Sequence, residues 1–204
     1  MQEPHPLLAF ARETLEIELT EAQRLLARLD GQFVRACELL LDCTGKAVVS
    51  GIGKSGHIGK KIAASLASTG TPAFFVHPAE ALHGDLGMIG RGDVMIFISY
   101  SGRAKELDLI LPLLAENGTP VIAITGGLAS PLAQQADLVL PLMVRENDYI
   151  FKPSTSRYAM LAMVDVLATE LAMANKSQAK DRLRRIKLAL DSHRGGADRQ
   201  PLGG

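Results

Sequence analysis

The sequence predicts an α/β fold: a single domain built on a doubly wound parallel sheet flanked by helices. Three observations carry that expectation. Five short apolar runs occupy the middle of the chain, at 47–50, 73–76, 94–99, 121–125 and 138–143. Their apolar character is almost continuous, as in strands buried on both faces rather than one. The first four are each followed by glycine, proline or small polar residues and then by helical periodicity, the alternation that builds a parallel sheet.

The elements follow in order. The first 43 residues have helical periodicity, and Leu15, Leu19, Ala22, Leu25 and Leu26 fall near one face. Gly31 breaks that pattern, and a second helix is expected over 33–42. Asp93 and Pro120 mark strand starts, while Gly118 ends the helix before the fourth run. A long helix over 154–174 carries Met160, Leu161, Val164, Leu167 and Leu171, a stripe that suits the core or, with the first helix, a subunit interface. Residues 177–190 form a further amphipathic helix rich in Lys and Arg, and the Gly- and Arg-rich tail from His193 is expected to be disordered. The expected division is therefore N-terminal helices over 1–44, a ligand-binding α/β domain over 45–175, and a C-terminal helix and tail over 176–204.

Composition narrows the function classes. With 204 residues, 47% of them hydrophobic, the chain has enough apolar material for one substantial core. Lys+Arg and Asp+Glu are both 22, so the formal charge is zero and no general nucleic-acid or membrane surface is expected. A small anion needs only a few local donors and stays open. Cys37 and Cys43, read as lying on one helix, are expected to be small buried apolar residues of a reducing compartment. The N-terminus has no cationic start before an apolar run, and no apolar stretch approaches a membrane span, so a cytoplasmic protein is expected.

In doubly wound folds ligands bind beyond the carboxyl ends of the strands. After the first strand the chain reads Gly51-Ile52-Gly53-Lys54-Ser55-Gly56. This fits a dinucleotide fingerprint by glycine spacing alone. However, the second strand ends Phe75-Val76-His77-Pro78, with no acid to hold a ribose, and Lys54 sits inside the glycine turn. Val48 stands where a nucleotide P-loop has its first glycine. What survives is a glycine turn, a cation and a hydroxyl at a helix start, which suits a simple anion. After the third strand comes Ser99-Tyr100-Ser101-Gly102-Arg103-Ala104-Lys105-Glu106. Two serines and a glycine at a helix start can surround a phosphate, or Ser101 can serve only as a helix cap. His77 reads as structural and His57 as either a helix-face residue or a substrate contact. His83, in a short glycine-rich segment, reads as functional. A metal at His77 and His83 would lack a third ligand, so none is expected.

The residues then carry a resemblance. The stretch 51–62 (GIGKSGHIGKKI), the stretch 67–79 (ASTGTPAFFVHPA), the stretch 82–89 (LHGDLGMI), the serine loop and 119–126 (TPVIAITG) closely resemble the sugar isomerase (SIS) domain family, and within it the arabinose-5-phosphate isomerase group. That resemblance implies a five-stranded sheet, a homotetramer, and interconversion of D-ribulose 5-phosphate and D-arabinose 5-phosphate through an enediol. In Gram-negative bacteria this supplies the Kdo sugar of lipopolysaccharide or capsule. It implies no cofactor and a small sugar phosphate as the only partner besides further copies of the chain. Lys54, His83, Glu106, Glu146 and His193 match the family's candidate catalytic positions. Gly53, Ser55, Ser99, Ser101 and Gly102, with Ser154, Thr155 and Ser156 at the next helix start, are the expected phosphate contacts.

Several departures are visible. Ala104 replaces the usual Ser or Thr, Arg194 replaces a proline after His193, and the segment between Glu146 and Pro153 is short. Residues 100–103 and 153–157 are similar to the sugar-phosphate-sensing domains of RpiR-type regulators, although no helix-turn-helix is read here. The long isomerases carry a pair of CBS domains, so a short form is expected. A non-catalytic sugar-phosphate sensor, or an isomerase of another ketose phosphate, are the competing readings.

Overall fold

The computed structural model of the protein describes residues 5–145 and 154–193. Five strands form one sheet: β1 (Ala47–Gly51), β2 (Ala73–Val76), β3 (Val94–Ile98), β4 (Val121–Thr125) and β5 (Leu138–Pro141). Their order is β2-β1-β3-β4-β5, and every neighbouring pair is parallel. The order reverses beside β1, which makes the β1/β3 edge a topological switch point. The third strand is shorter than expected because Ser99, although its N–H still bonds the Ile124 carbonyl (3.1 Å), turns its hydroxyl into the following loop.

Alternating residues divide the core in two. Val49, Ile96, Ile98, Ile122 and Ile124 face a layer that includes Ile62, Leu66, Val164 and Leu167. Val48, Met95, Phe97 and Ala123 face Leu107, Ile110 and Leu114. The first layer is built by α1 (Pro6–Leu25), α2 (Gly31–Leu41), α3 (Gly53–Thr69) and α7 (Thr155–Ala174), and the second by α4 (Pro78–Leu82), α5 (Lys105–Asn117) and α6 (Pro131–Gln135). An ion pair between Lys61 and Asp165 joins α3 to α7. Asp30 starts α2 two residues before the expected position by accepting from the Gln32 N–H at 2.8 Å. Gly118 closes α5 with φ 69°.

The first helix departs from its expected packing. Leu15, Leu19 and Leu26 are 54%, 46% and 71% exposed, whereas Glu21 and Leu25 are buried. The buried edge is the i, i+4 pair at the C-terminal end of α1, a helix that packs on α7. Glu21 is tolerated there because Arg24, one turn on, pairs with its carboxylate. The long helix behaves as a core element: Met160, Val164, Leu167 and Leu171 are buried and Leu161 is partly so.

A final helix, α8 (Lys176–His193), bends 103° away from α7 and packs against α3. His193 belongs to this helix, and the tail expected to be disordered beyond it lies outside the described residues. No single described helix is long and apolar enough to cross a membrane.

The cysteines also differ from expectation. Both are half-buried, and Cys43 lies beyond the end of α2, its thiol donating to the Gly92 carbonyl at 3.2 Å. Burial, reinforced by Glu170 and Glu38, pushes the Cys37 thiol up to about 11. We expect Cys37 to alkylate roughly 100-fold more slowly than an unperturbed thiol below pH 9, because only the thiolate reacts. Peptide mapping after a timed iodoacetamide pulse checks this; a normal rate would mean that α2 does not pack on α7 as described.

Candidate functional site

The first loop is shaped by close backbone approach. A Cβ on Gly51 would lie 2.9 Å from the Ile98 carbonyl oxygen, and one on Gly56 would lie 2.6 Å from the Gly51 carbonyl oxygen. These two glycines let the end of β1, the end of β3 and the first turn of α3 touch. Gly53 adopts φ 57°, a left-handed conformation that glycine adopts without strain. The residue before α3 is Ile52, whose side chain offers no oxygen, so the first turn has no side-chain cap. The orphan N–H groups of that turn point beyond the sheet edge. Lys54 is exposed on this turn, and the half-buried Ser55 hydroxyl lies 3.6 Å from the Met160 sulfur, joining the loop to the first turns of α7.

The second loop folds onto itself. Ser99 Oγ accepts from the Gly102 N–H at 3.2 Å, and the exposed Ser101 Oγ makes a long contact of 3.4 Å with the Arg103 N–H. Gly102 has φ 63° and is buried against Ser130, whose own hydroxyl caps α6. Helix α5 begins at Lys105, with Ala104 before it and no side-chain cap. Ser101 therefore does not cap the helix, because three residues separate it from the first helical residue. By contrast, α1, α2, α4 and α6 are each capped by a side chain: His5, Asp30, His77 and Ser130. Both helices that leave the switch point have their first turns open.

Because β1 and β3 are neighbours in register, with Gly51 opposite Ile98, these two open helix starts lie side by side. The cleft between them is lined by Gly51, Ile52, Ser55, Pro78, Ser99 and Ala104 among others, and encloses about 40 Å³. Of the expected contacts, Ser55 and Ser99 line this cleft together, while Gly53 and Lys54 lie on the adjoining first turn of α3 and Ser101 and Gly102 in the loop after β3.

The remaining expected residues are placed less uniformly. Glu106 is half-buried in the first turn of α5. His83 is exposed at the end of α4, which packs on α5. Thr155 and Ser156 are buried at the start of α7, with Ser154 immediately before it. Glu146 lies outside the described residues. His193 is in α8, a helix that packs against α3 and α7. His77 is structural, its Nδ1 accepting from the Ala79 N–H at 3.2 Å, and His57 is exposed. Among the described residues no three His, Cys, Asp or Glu side chains gather as a metal site.

Sequence reasoning missed the support beneath the serine loop. Thr125 Oγ1 donates to the Tyr100 carbonyl at 3.1 Å and accepts from the Gly127 N–H at 3.1 Å. The adjacent glycines 126 and 127 after β4 were the available signal, since both sit against that loop with no space for a Cβ.

The fold and its two open loops define a doubly wound α/β domain that can receive a compact anion at its switch point. Residues 40–170 match the model of the SIS domain, and the chain belongs to that family. It is 55% identical over 177 residues to arabinose 5-phosphate isomerase GutQ of Salmonella typhimurium, covering 86% of this chain and 55% of that protein. Against arabinose 5-phosphate isomerase KdsD of Pseudomonas aeruginosa the identity is 47% over 173 residues, covering 84% of this chain and 53% of that one. The chain thus spans about half the length of the curated relatives it matches. Among solved structures, Escherichia coli CFT073 c3406 in complex with arabinose 5-phosphate superposes with a TM-score of 0.80 at 36% identity, covering 86% of this chain and 94% of that one.

Gly102→Ala should destabilise the protein by about 1–3 kcal/mol, since alanine is strained at this φ and its methyl would collide with Ser130. Urea unfolding measures the change; an unaltered midpoint would mean that the loop does not hold this conformation.

Proposed function

We propose that the protein is an aldose–ketose isomerase interconverting D-ribulose 5-phosphate and D-arabinose 5-phosphate through an enediol. The observation that carries the reading is the pair of open helix starts at the β1/β3 switch point, in a chain whose relatives of 55% and 47% identity are arabinose 5-phosphate isomerases. N–H groups at a helix N-terminus and nearby hydroxyls favour a phosphate dianion. In this reading the phosphate is held by Ser55, Ser99, Ser101 and the N–H groups around Gly53 and Gly102, with Ser154, Thr155 and Ser156 contributing from α7. Anchoring one end of a five-carbon substrate fixes where C1 and C2 lie, so orientation supplies much of the rate gain.

The chemistry is a proton shift between C1 and C2, and it balances without a redox partner. A base removes the proton from one carbon while the carbonyl oxygen takes up a proton to give the enediol; a proton then returns to the other carbon as the first carbon's hydroxyl loses its proton and becomes the new carbonyl. In this reading Lys54 steadies the phosphate or the developing enediolate charge. Glu106, Glu146, His83 and His193 are the candidates for proton transfer and ring opening. No cofactor takes part. The protein would work in the cytoplasm, in supply of the Kdo sugar, as a homotetramer that covers the exposed apolar residues of α1.

One observation favours a second reading, a sugar-phosphate sensor without turnover. Ala104 lines the cleft at the α5 start, where the related isomerases usually place a hydroxyl.

Incubation with ribulose 5-phosphate in D2O, followed by NMR, separates the two. The isomerase gives arabinose 5-phosphate and deuterium at the reacting carbon, whereas binding without exchange or product would leave only the sensor. Lys54→Ala should abolish turnover while leaving the unfolding midpoint in place, and near-normal kcat/KM would remove Lys54 from the chemistry. Ser101→Ala should weaken sugar-phosphate affinity by one to two decades, the loss of a charge-assisted hydrogen bond worth about 1.5–3 kcal/mol. Calorimetric titration measures it, and an unchanged affinity would place the phosphate elsewhere.

A further inference from the structure

Tyr100 stands in the middle of the serine loop, yet its side chain is not among those lining the cleft. It runs along the sheet edge. Its carbonyl accepts from the Gly126 N–H at 3.0 Å and from Thr125 Oγ1 at 3.1 Å, which pins its backbone to the end of β4. Its ring occupies the space that Gly126 leaves by having no side chain: a Cβ there would lie 2.5 Å from the ring's Cε2. Beyond the glycine, the hydroxyl donates to the Val144 carbonyl at 2.9 Å, a contact across 44 positions of sequence.

The far end of this strut is where regular structure stops. After β5, Leu142 is buried and its N–H bonds the Thr125 carbonyl at 2.8 Å. Met143 and Arg145 are exposed, and no ladder continues through 142–145. One rigid aromatic side chain therefore spans from the serine loop, past β4, to the chain leaving β5.

We infer that Tyr100 is a positioning residue that couples occupation of the serine loop by phosphate to the placement of residues 142–145. The inference rests on the serine loop being the phosphate site. An anion ordering Ser99, Ser101 and Gly102 constrains the Tyr100 backbone between them; the clamped ring passes that constraint to the hydroxyl and so to Val144. By reciprocity, fixing 142–145 must favour the anion-ready loop by the same factor. Each link from the Tyr100 backbone to the Val144 carbonyl is a direct contact.

The test is hydrogen exchange with inorganic phosphate as the probe, on the full chain. In the parent protein, phosphate should slow exchange in peptides covering 99–105 and also in those covering 142–145. Tyr100→Phe keeps the ring on Gly126 and removes only the hydroxyl. It should exchange about 2- to 10-fold faster at 142–145, the range one neutral hydrogen bond sets, and lose the phosphate response there while keeping it at 99–105. Gly126→Ala, which displaces the ring but keeps the hydroxyl, should reproduce that loss. In turnover, Tyr100→Phe should lower kcat about 2- to 10-fold with KM within about twofold and the melting temperature unmoved, the same hydrogen bond setting the range. Phosphate protection at 142–145 that survives in Tyr100→Phe, or that is absent from the parent while present at 99–105, overturns the coupling. Absence of protection at 99–105 instead removes the phosphate site itself, and the coupling with it.

Discussion

The parallel contact between the end of β1 and the end of β3 is the constraint on which the candidate site depends. A side chain at Gly51 would push against the Ile98 carbonyl, and one at Gly56 would push against Gly51 itself. With glycine at both positions the two strand ends stay in register and the first turn of α3 sits down on them. The adjacent β3–α5 loop then begins within reach. The cleft is thus a product of backbone proximity, and the side chains that line it decorate a geometry set by the absence of Cβ atoms.

Helix capping shows how that geometry acquires an electrostatic preference. Leaving a helix N-terminus without a cap costs about 0.5–2 kcal/mol, and α1, α2, α4 and α6 all carry one. His5, Asp30, His77 and Ser130 each accept from a first-turn N–H. At α3 and α5 the preceding residues are Ile52 and Ala104, neither of whose side chains can accept a hydrogen bond. Open donors therefore meet at the switch point, where two helix starts face one cleft. A dianion bound there would restore the missing bonds of two helices at once.

The sheet was legible because fully buried parallel strands write an almost unbroken apolar run, and the loops because glycine and serine clusters follow those runs. The leucine stripe of α1 misled, since periodicity reports that a face is apolar without saying what covers it. Leu15 and Leu19 remain exposed while Glu21, a charge, is buried one step round the helix with Arg24 as its partner. Ser101 was legible as a hydroxyl at a helix start but not as a residue too early to cap it. Tyr100 and Ser130 carried no signal in polarity or spacing, because their roles come from β4 crossing between two loops far apart in sequence. Glu146 and His193 rest on resemblance: the first lies outside the described residues, and the second is carried on α8.

Ala104 bears most directly on which chemistry the site favours. At the residue before α5 a Ser or Thr would have two uses, as a cap for the helix when the site is empty and as a phosphate ligand when it is full. With alanine there, neither is possible. The Leu107 N–H bonds back to the Ala104 carbonyl at 3.0 Å, which leaves the N–H groups of Lys105 and Glu106 as the open donors of that turn. Affinity lost with the hydroxyl must then come from those two donors, from Ser99 and Ser101, and from the α3 turn across the cleft. A ligand engaging both helix starts depends more heavily on their spacing, and hence on the Gly51–Ile98 contact, than one held by a full ring of hydroxyls. In the proposed site, alanine at 104 would shift the burden of phosphate recognition from side chains to backbone.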